Sequence, residues 1–260
     1  MNAPTDPKLL TNPLLDTWTS PHCLPPFTDV KAEHFAPAFA VALKSHRDEL
    51  DAIAANPAAA TFENTLAAFD KSGRLHMRID QLFYNLAASE TSPALQAVER
   101  EMAAPLAAHT NVIYMHAGLF SRVDALFSQR DALGLTSEQM RLLERVHLDF
   151  VRAGAKLSAG AQARYGKIME QLAELTTQFS QNVLADEATT HLLLKDESDL
   201  AGLPESVRAS AKQAAVERGL DGYVITISRS LIVPFLTFSD NRALRERAYK
   251  AWTGRGEGIN

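Results

Sequence analysis

The chain has 260 residues, 46% of them hydrophobic and 22% charged, with a net charge of −5, so it is long enough to bury a substantial core in one large domain or two modest ones. That acidic balance argues against nucleic acid or an anionic membrane as partner, and the single cysteine, Cys23, rules out an internal disulfide and fits a reducing compartment. The opening MNAPTDPKLLTNPLL has no basic stretch ahead of an apolar run, and no apolar segment reaches membrane-spanning length, so the expectation is a soluble cytoplasmic protein without a signal peptide.

Residues 1–30 are Pro-rich (Pro4, Pro7, Pro13, Pro21, Pro25, Pro26) and are expected to form an extended arm over a helical surface, burying Trp18, Leu24 and Phe27. Helical periodicity then sets in. Phe35, Phe39, Leu43, Leu50 and Ile53 recur at helical spacing, with Pro37 tolerable in the first turn. Thr61 is a candidate N-cap for a helix carrying Phe62, Leu66 and Phe69 on one face and bending at Gly73. Ser92 and Pro93 form a cap and first-turn pair for a helix bearing Leu95, Val98, Met102, Leu106 and Ile113, kinked at Pro105.

A shorter helix is predicted over 119–132. Thr136 and Gln139 have capping-box spacing ahead of RLLERVHLDFV, and Gly154 is a natural stop. Over 158–185, Tyr165, Ile168, Leu172, Leu175, Phe179 and Val183 form the clearest stripe, which predicts a long helix packed along another. THLLLK (190–195) and YVITIS (223–228) read as two strands of a ribbon joined by a helix. Asp240 is expected to cap a last helix holding Leu244, Ala248 and Trp252. The fold class is therefore mainly α, a multi-helix lobe with one small β ribbon near 190–228. The expected division is an arm over 1–30, a helical domain over 31–188, and ribbon plus helices over 189–260.

The search for chemistry finds architecture instead. None of the eight histidines belongs to an H-E-x-x-H, which would set two imidazoles and a carboxylate on one helix face. His109 and His116 share a face but lie about 10.5 Å apart along a helix, too far for one zinc ion. His22 and Cys23 adjoin in the arm without a second cysteine or an activating group. No G-x-S-x-G, Walker-type or G-x-G-x-x-G loop occurs, and GRGEG at 254–258 reads as a flexible tail. Glu99/Glu101 and Asp186/Glu187 read as solvated carboxylates. No residue of this chain is assigned as catalytic, cofactor-binding or metal-ligating.

An ordered set of stretches adds what spacing cannot. NPLL…W…LPPF…EHFAPAFAVAL (12–43), TFENTLAAFDKSGRL (61–75), LQAVEREMAAPLAAH (95–109), LTSEQMRLLERVHLDFVRAGAKL (135–157), LAELTTQFSQNVLADE (172–187), DLAGLP (199–204) and NRALRERAYKAW (241–252) occur in this order. Together they resemble the N-terminal part of the thimet oligopeptidase family of zinc metallopeptidases, nearest its bacterial peptidyl-dipeptidases. The resemblance implies a mostly helical enzyme with a deep channel, whose H-E-x-x-H zinc helix and third glutamate ligand lie downstream of residue 260. On that reading residue 260 is a cut and the segment alone is inactive. Its parent hydrolyses short peptides by releasing C-terminal dipeptides, with one zinc ion in the missing catalytic half. YVITIS is then either the candidate strand for pairing with an extended peptide or a purely structural ribbon edge. Leu231, Ile232, Phe235, Leu236, Phe238 and Trp252 are the candidate face toward that half, and a source of weak self-association. The other reading of the same residues is a stand-alone helical module that binds peptides or a protein partner without catalysis.

Overall fold

Side-chain caps that accept backbone N–H groups set several of the helix starts. In the computed structural model, which describes residues 12–257, Thr61 accepts from Asn64 N, Ser92 from Leu95 N and Thr136 from Gln139 N, the last within the predicted capping box. Ten α-helices are described in chain order: α1 (Phe35–Ala54), α2 (Ala68–Lys71), α3 (Arg74–Ser89), α4 (Pro93–Tyr114), α5 (Ala117–Ser128), α6 (Ser137–Arg152), α7 (Ala159–Thr189), α8 (Glu205–Val216), α9 (Arg229–Phe238) and α10 (Arg242–Thr253). Two short strands, β1 (His191–Leu194) and β2 (Tyr223–Thr226), pair antiparallel with His191 opposite Thr226 and Leu194 opposite Tyr223. This is the mainly α fold with one β ribbon that the sequence predicts.

The helix predicted from Thr61 onward does more than bend at Gly73. It opens as a π-helical turn over Phe62–Ala67, continues as α2, and stops at Ser72 and Gly73. Gly73 adopts φ 68°, where a side chain is disfavoured, and α3 starts afresh. By contrast α4 runs on through Pro105. The last helix is capped by Asn241, whose side chain accepts from Leu244 N, and not by Asp240.

The chain divides into two units, Met1–Leu175 and Thr176–Asn260, so that α7 contributes to both. In the first unit one core gathers Phe35, Phe39 and Leu43 of α1 with Ile79, Leu82 and Phe83 of α3 and Leu95, Val98 and Met102 of α4. A second core joins Leu50 and Leu66 to Leu119, Val123 and Leu126 of α5 and Leu143, Val146 and Phe150 of α6. In the second unit Leu192, Leu194, Val224, Ile225 and Ile227 of the ribbon region pack on Val207 and Ala211 of α8, Ile232 and Phe235 of α9, and Leu244 and Ala248 of α10.

Part of the arm is docked as expected. Leu14 is fully buried, Trp18 Nε1 donates to Pro13 O, and Arg78 of α3 stacks on the Trp18 ring while donating to Leu14 O. Leu24 and Phe27, predicted to be buried, are exposed instead, and the contacts of Arg78 reach only Leu14 and Trp18. Pro4 and Pro7 lie outside the described residues.

Two further expectations are corrected. The α7 stripe is largely uncovered: Ile168, Leu172, Leu175 and Phe179 are exposed, Tyr165 and Val183 are half-buried, and Gly166 is the one buried residue of α7. There Asn111 of α4 donates to the Gly166 carbonyl, an approach that holds the backbone without covering the stripe. The 254–257 segment is likewise not free. Gly256 N donates to Asp186 Oδ2 at 2.7 Å and Arg255 pairs with Glu187, so these two carboxylates tie the chain down. Gly258 is not among the described residues.

Arg122 of α5 illustrates how one side chain can order a loop. It donates to the Asn56 and Ala58 carbonyls, to Asn64 Oδ1 and to Thr65 Oγ1, fastening 56–65 over the second core. Arg122→Ala is expected to destabilise the first unit by about 2–3 kcal/mol, because it strands these acceptors at once. Urea unfolding of the two proteins measures it.

Candidate functional site

The ribbon is the part of the second unit closest in character to a peptide-binding element. Its strand β2 is poorly placed for that role: Val224, Ile225 and Thr226 are buried beneath α8 and α9, with Ile227 beside them. YVITIS therefore serves the core, and β1, with His191 exposed and Leu193 half-buried, is the accessible strand. Beside β1 lies a cleft of about 290 Å³. Its walls are Leu192, Ile225, Ile227, Ile232, Ala248 and Ala251, and its rim carries His191, Arg247 and Lys250. Lys250 at this rim is paired with Glu246 at 2.7 Å, which leaves the exposed Arg247 as the cation that can meet a carboxylate.

The face expected toward a partner half is largely used up inside this unit. Leu231, Ile232 and Phe235 are buried, and Leu236 and Trp252 pack against the same core. Phe238 alone of the six remains exposed.

A second constellation lies in the first unit. His46 on α1, His76 on α3 and His109 on α4 each offer one ring nitrogen within 4.8 Å of the others. His46 and His109 are buried, and His76 is half-buried. His109 Nε2 lies 3.0 Å from His46 Nδ1, and His46 Nε2 lies 3.2 Å from Ser72 Oγ. The Ser72 hydroxyl gives its one proton to the Phe69 carbonyl at 2.7 Å, so it accepts from His46 Nε2–H. His46 Nδ1 is then a bare lone pair that accepts from His109 Nε2–H. That assignment leaves His109 Nδ1 without its proton, and this atom and His76 Nε2 are both buried with no partner. Each such orphan costs about 1–3 kcal/mol.

The rings are held in the neutral form. Burial lowers the pKa of all three, and His76 lowers His46 further. His109 falls to about 4, through burial first and then through His46, His76 and Arg47. Glu49 and Asp80 oppose the shifts of His46 and His76 respectively, without reversing them.

Gly73 completes the setting. A Cβ there would stand 2.6–2.8 Å from the His46 ring atoms, so glycine is what lets the imidazole lie against the turn. The Gly73 N–H is held by Glu49 Oε2 at 2.8 Å.

The cluster has no signature in the sequence, where His109 shares a helix face with His116 and not with His46 or His76. His116 instead caps α5 by accepting from Leu119 N and pairs with Asp51 at 3.0 Å. His147 is taken by Asp124 at 2.8 Å. His22 and Cys23 sit exposed in a left-handed turn, with φ of 62° and 54°. The described residues do not fit the catalytic zinc that the family resemblance implies. No H-E-x-x-H is present, the three rings come from three helices, and Glu49 is engaged by the Gly73 backbone. Among the described residues no helix is long and apolar enough to cross a membrane.

Comparison with known proteins gives a consistent set of relatives. Over 93% of its length the chain is 38% identical to a dipeptidyl carboxypeptidase of Escherichia coli K12, of which it covers 36%. It is 32% identical, over 95% of its length, to oligopeptidase A of the same bacterium, again covering 36%. An organellar oligopeptidase A of Arabidopsis thaliana is 25% identical over 96% of the chain, which covers 32% of it. The chain thus spans about a third of the length of the curated relatives it matches. No protein-family model matches it.

Proposed function

The chain belongs to the thimet oligopeptidase family, and from that premise we propose that it is the N-terminal, substrate-channel part of a cytoplasmic zinc oligopeptidase. The parent enzyme hydrolyses short peptides and releases C-terminal dipeptides. The observation that carries this reading is the 38% identity to a dipeptidyl carboxypeptidase over 93% of the chain.

The division of labour follows from the side chains present. The chain supplies shape and binding surface, and the zinc ion, its ligands and the general base belong to the remainder of the parent. Within the second unit, the cleft beside β1 is the candidate contact for a peptide: the exposed Arg247 stands at its rim to meet a carboxylate, while Lys250 beside it is paired with Glu246. Exposed charges of this kind act mainly on capture, each contributing about 1 kcal/mol or less.

The test is a mass-spectrometric assay on short peptides of varied C-terminus, using this chain alone and the product of its whole reading frame. The expected result is dipeptide release by the whole product and no turnover by the chain alone. Arg247→Glu in the whole product should raise KM for acidic or short peptides several-fold and leave kcat nearly unchanged. Turnover by the chain alone, or a whole product inert toward every peptide, contradicts the reading.

A further inference from the structure

We propose that His46, His76 and His109 form a structural site for one divalent d-block cation of the zinc class, clasping α1, α3 and α4 together. Three helices converge to place one ring nitrogen from each within 4.8 Å. His46 Nδ1 and His109 Nε2 are already 3.0 Å apart. Two imidazole nitrogens on one tetrahedral ion with bonds of about 2.05 Å are separated by about 3.3 Å, so an ion replacing the proton between them demands little movement. His76 brings the lone pair that the hydrogen-bonded cluster leaves over: its Nε2 is buried and has no partner.

The surroundings are those of a built site. The Phe69 carbonyl and Ser72 hydroxyl fix the His46 tautomer, in the way that outer-shell groups orient metal-bound histidines. Gly73 leaves the space that the His46 ring occupies. Burial and mutual repulsion hold the rings in the neutral, ligating form.

The ligand set selects the ion. Three imidazoles with no carboxylate or carbonyl in the set suit zinc, cobalt, nickel or copper, and discriminate against magnesium and calcium, which seek oxygen. Among the described residues no fourth histidine, cysteine or carboxylate joins the set. The half-buried His76 edge is the route of entry. This site lies wholly within the first unit and is independent of the hydrolytic zinc of the proposed parent.

The test uses the 260-residue chain dialysed against a chelator and titrated with Zn²⁺, with Mg²⁺ as control. The expected result is one zinc bound per chain, a melting temperature raised by several degrees and restored by EDTA, and no response to Mg²⁺. Co²⁺ should give the visible absorption of a tetrahedral site. His76→Leu removes an unpartnered nitrogen from a half-buried position and should fold like the parent chain, yet bind zinc at least tenfold more weakly. His46→Asn supplies a second variant with the same expected loss. Zinc bound with unchanged affinity by both variants, or no stoichiometric binding by the unsubstituted chain, overturns the proposal.

Discussion

Phe83→Ala is expected to remove about 3–5 kcal/mol from the stability of the first unit, the size usual for deleting a fully enclosed phenylalanine. Phe83 is completely buried at the junction of α1 and α3. Its ring meets Phe35, Phe39 and Tyr84 edge-on, at 5.0, 5.7 and 5.2 Å. Truncation loses the transfer energy of the ring and opens a hole that helices anchored at several points cannot close. It also removes three edge-to-face pairs, each contributing about 0.5–1.5 kcal/mol beyond area. Phe83→Leu, which refills most of the volume, should recover more than half of the loss. Urea unfolding followed by circular dichroism measures both. A Phe83→Ala loss below about 1 kcal/mol would mean that these rings do not hold α1 against α3.

Gly202→Ala should damage the second unit comparably, by about 4 kcal/mol, and for a different reason. Gly202 has φ 81°, which strains any side chain, and an added Cβ would sit 2.1 Å from the Phe238 carbonyl oxygen and 2.9 Å from Asp240 Cγ. The obstacle is backbone, which cannot swing aside as a flexible side chain would. That backbone is itself fixed, since Asp240 N donates to Ala201 O at 3.0 Å. The substitution must therefore part the 201–202 turn from the end of α9. Hydrogen exchange should show protection lost in β1, β2, α8, α9 and α10 and retained in α1, α3 and α4. Uniform loss across the chain would contradict the division into two units.

Features governed by neighbouring residues were legible in the sequence. The caps at Thr61, Ser92 and Thr136 need only a short polar side chain and an N–H three residues on, and all three form. The ribbon was legible for a similar reason, as two β-rich runs bracketing a helix. Asp240 and Asn241 are both competent caps side by side, and one turn of backbone decides in favour of Asn241. What failed was long-range. The α7 stripe has the period of a packed helix, but periodicity names a face and not its partner, and Leu172, Leu175 and Phe179 stay exposed. Burial of Leu231, Ile232 and Phe235 by their own unit could not be read either, because their partners come from β1, β2 and α8. His46, His76 and His109 carry no spacing signal at all, since each sits on a different helix and their meeting depends on how α1, α3 and α4 pack.

The central claim is that this chain is the non-catalytic, channel-forming part of a longer oligopeptidase, and the most direct measurement is the DNA sequence beyond codon 260 in its source. The account predicts an open frame continuing to roughly the length of the relatives, with an H-E-x-x-H and a further glutamate ligand encoded in it. A stop codon immediately after codon 260, or a continuation without H-E-x-x-H, would contradict it.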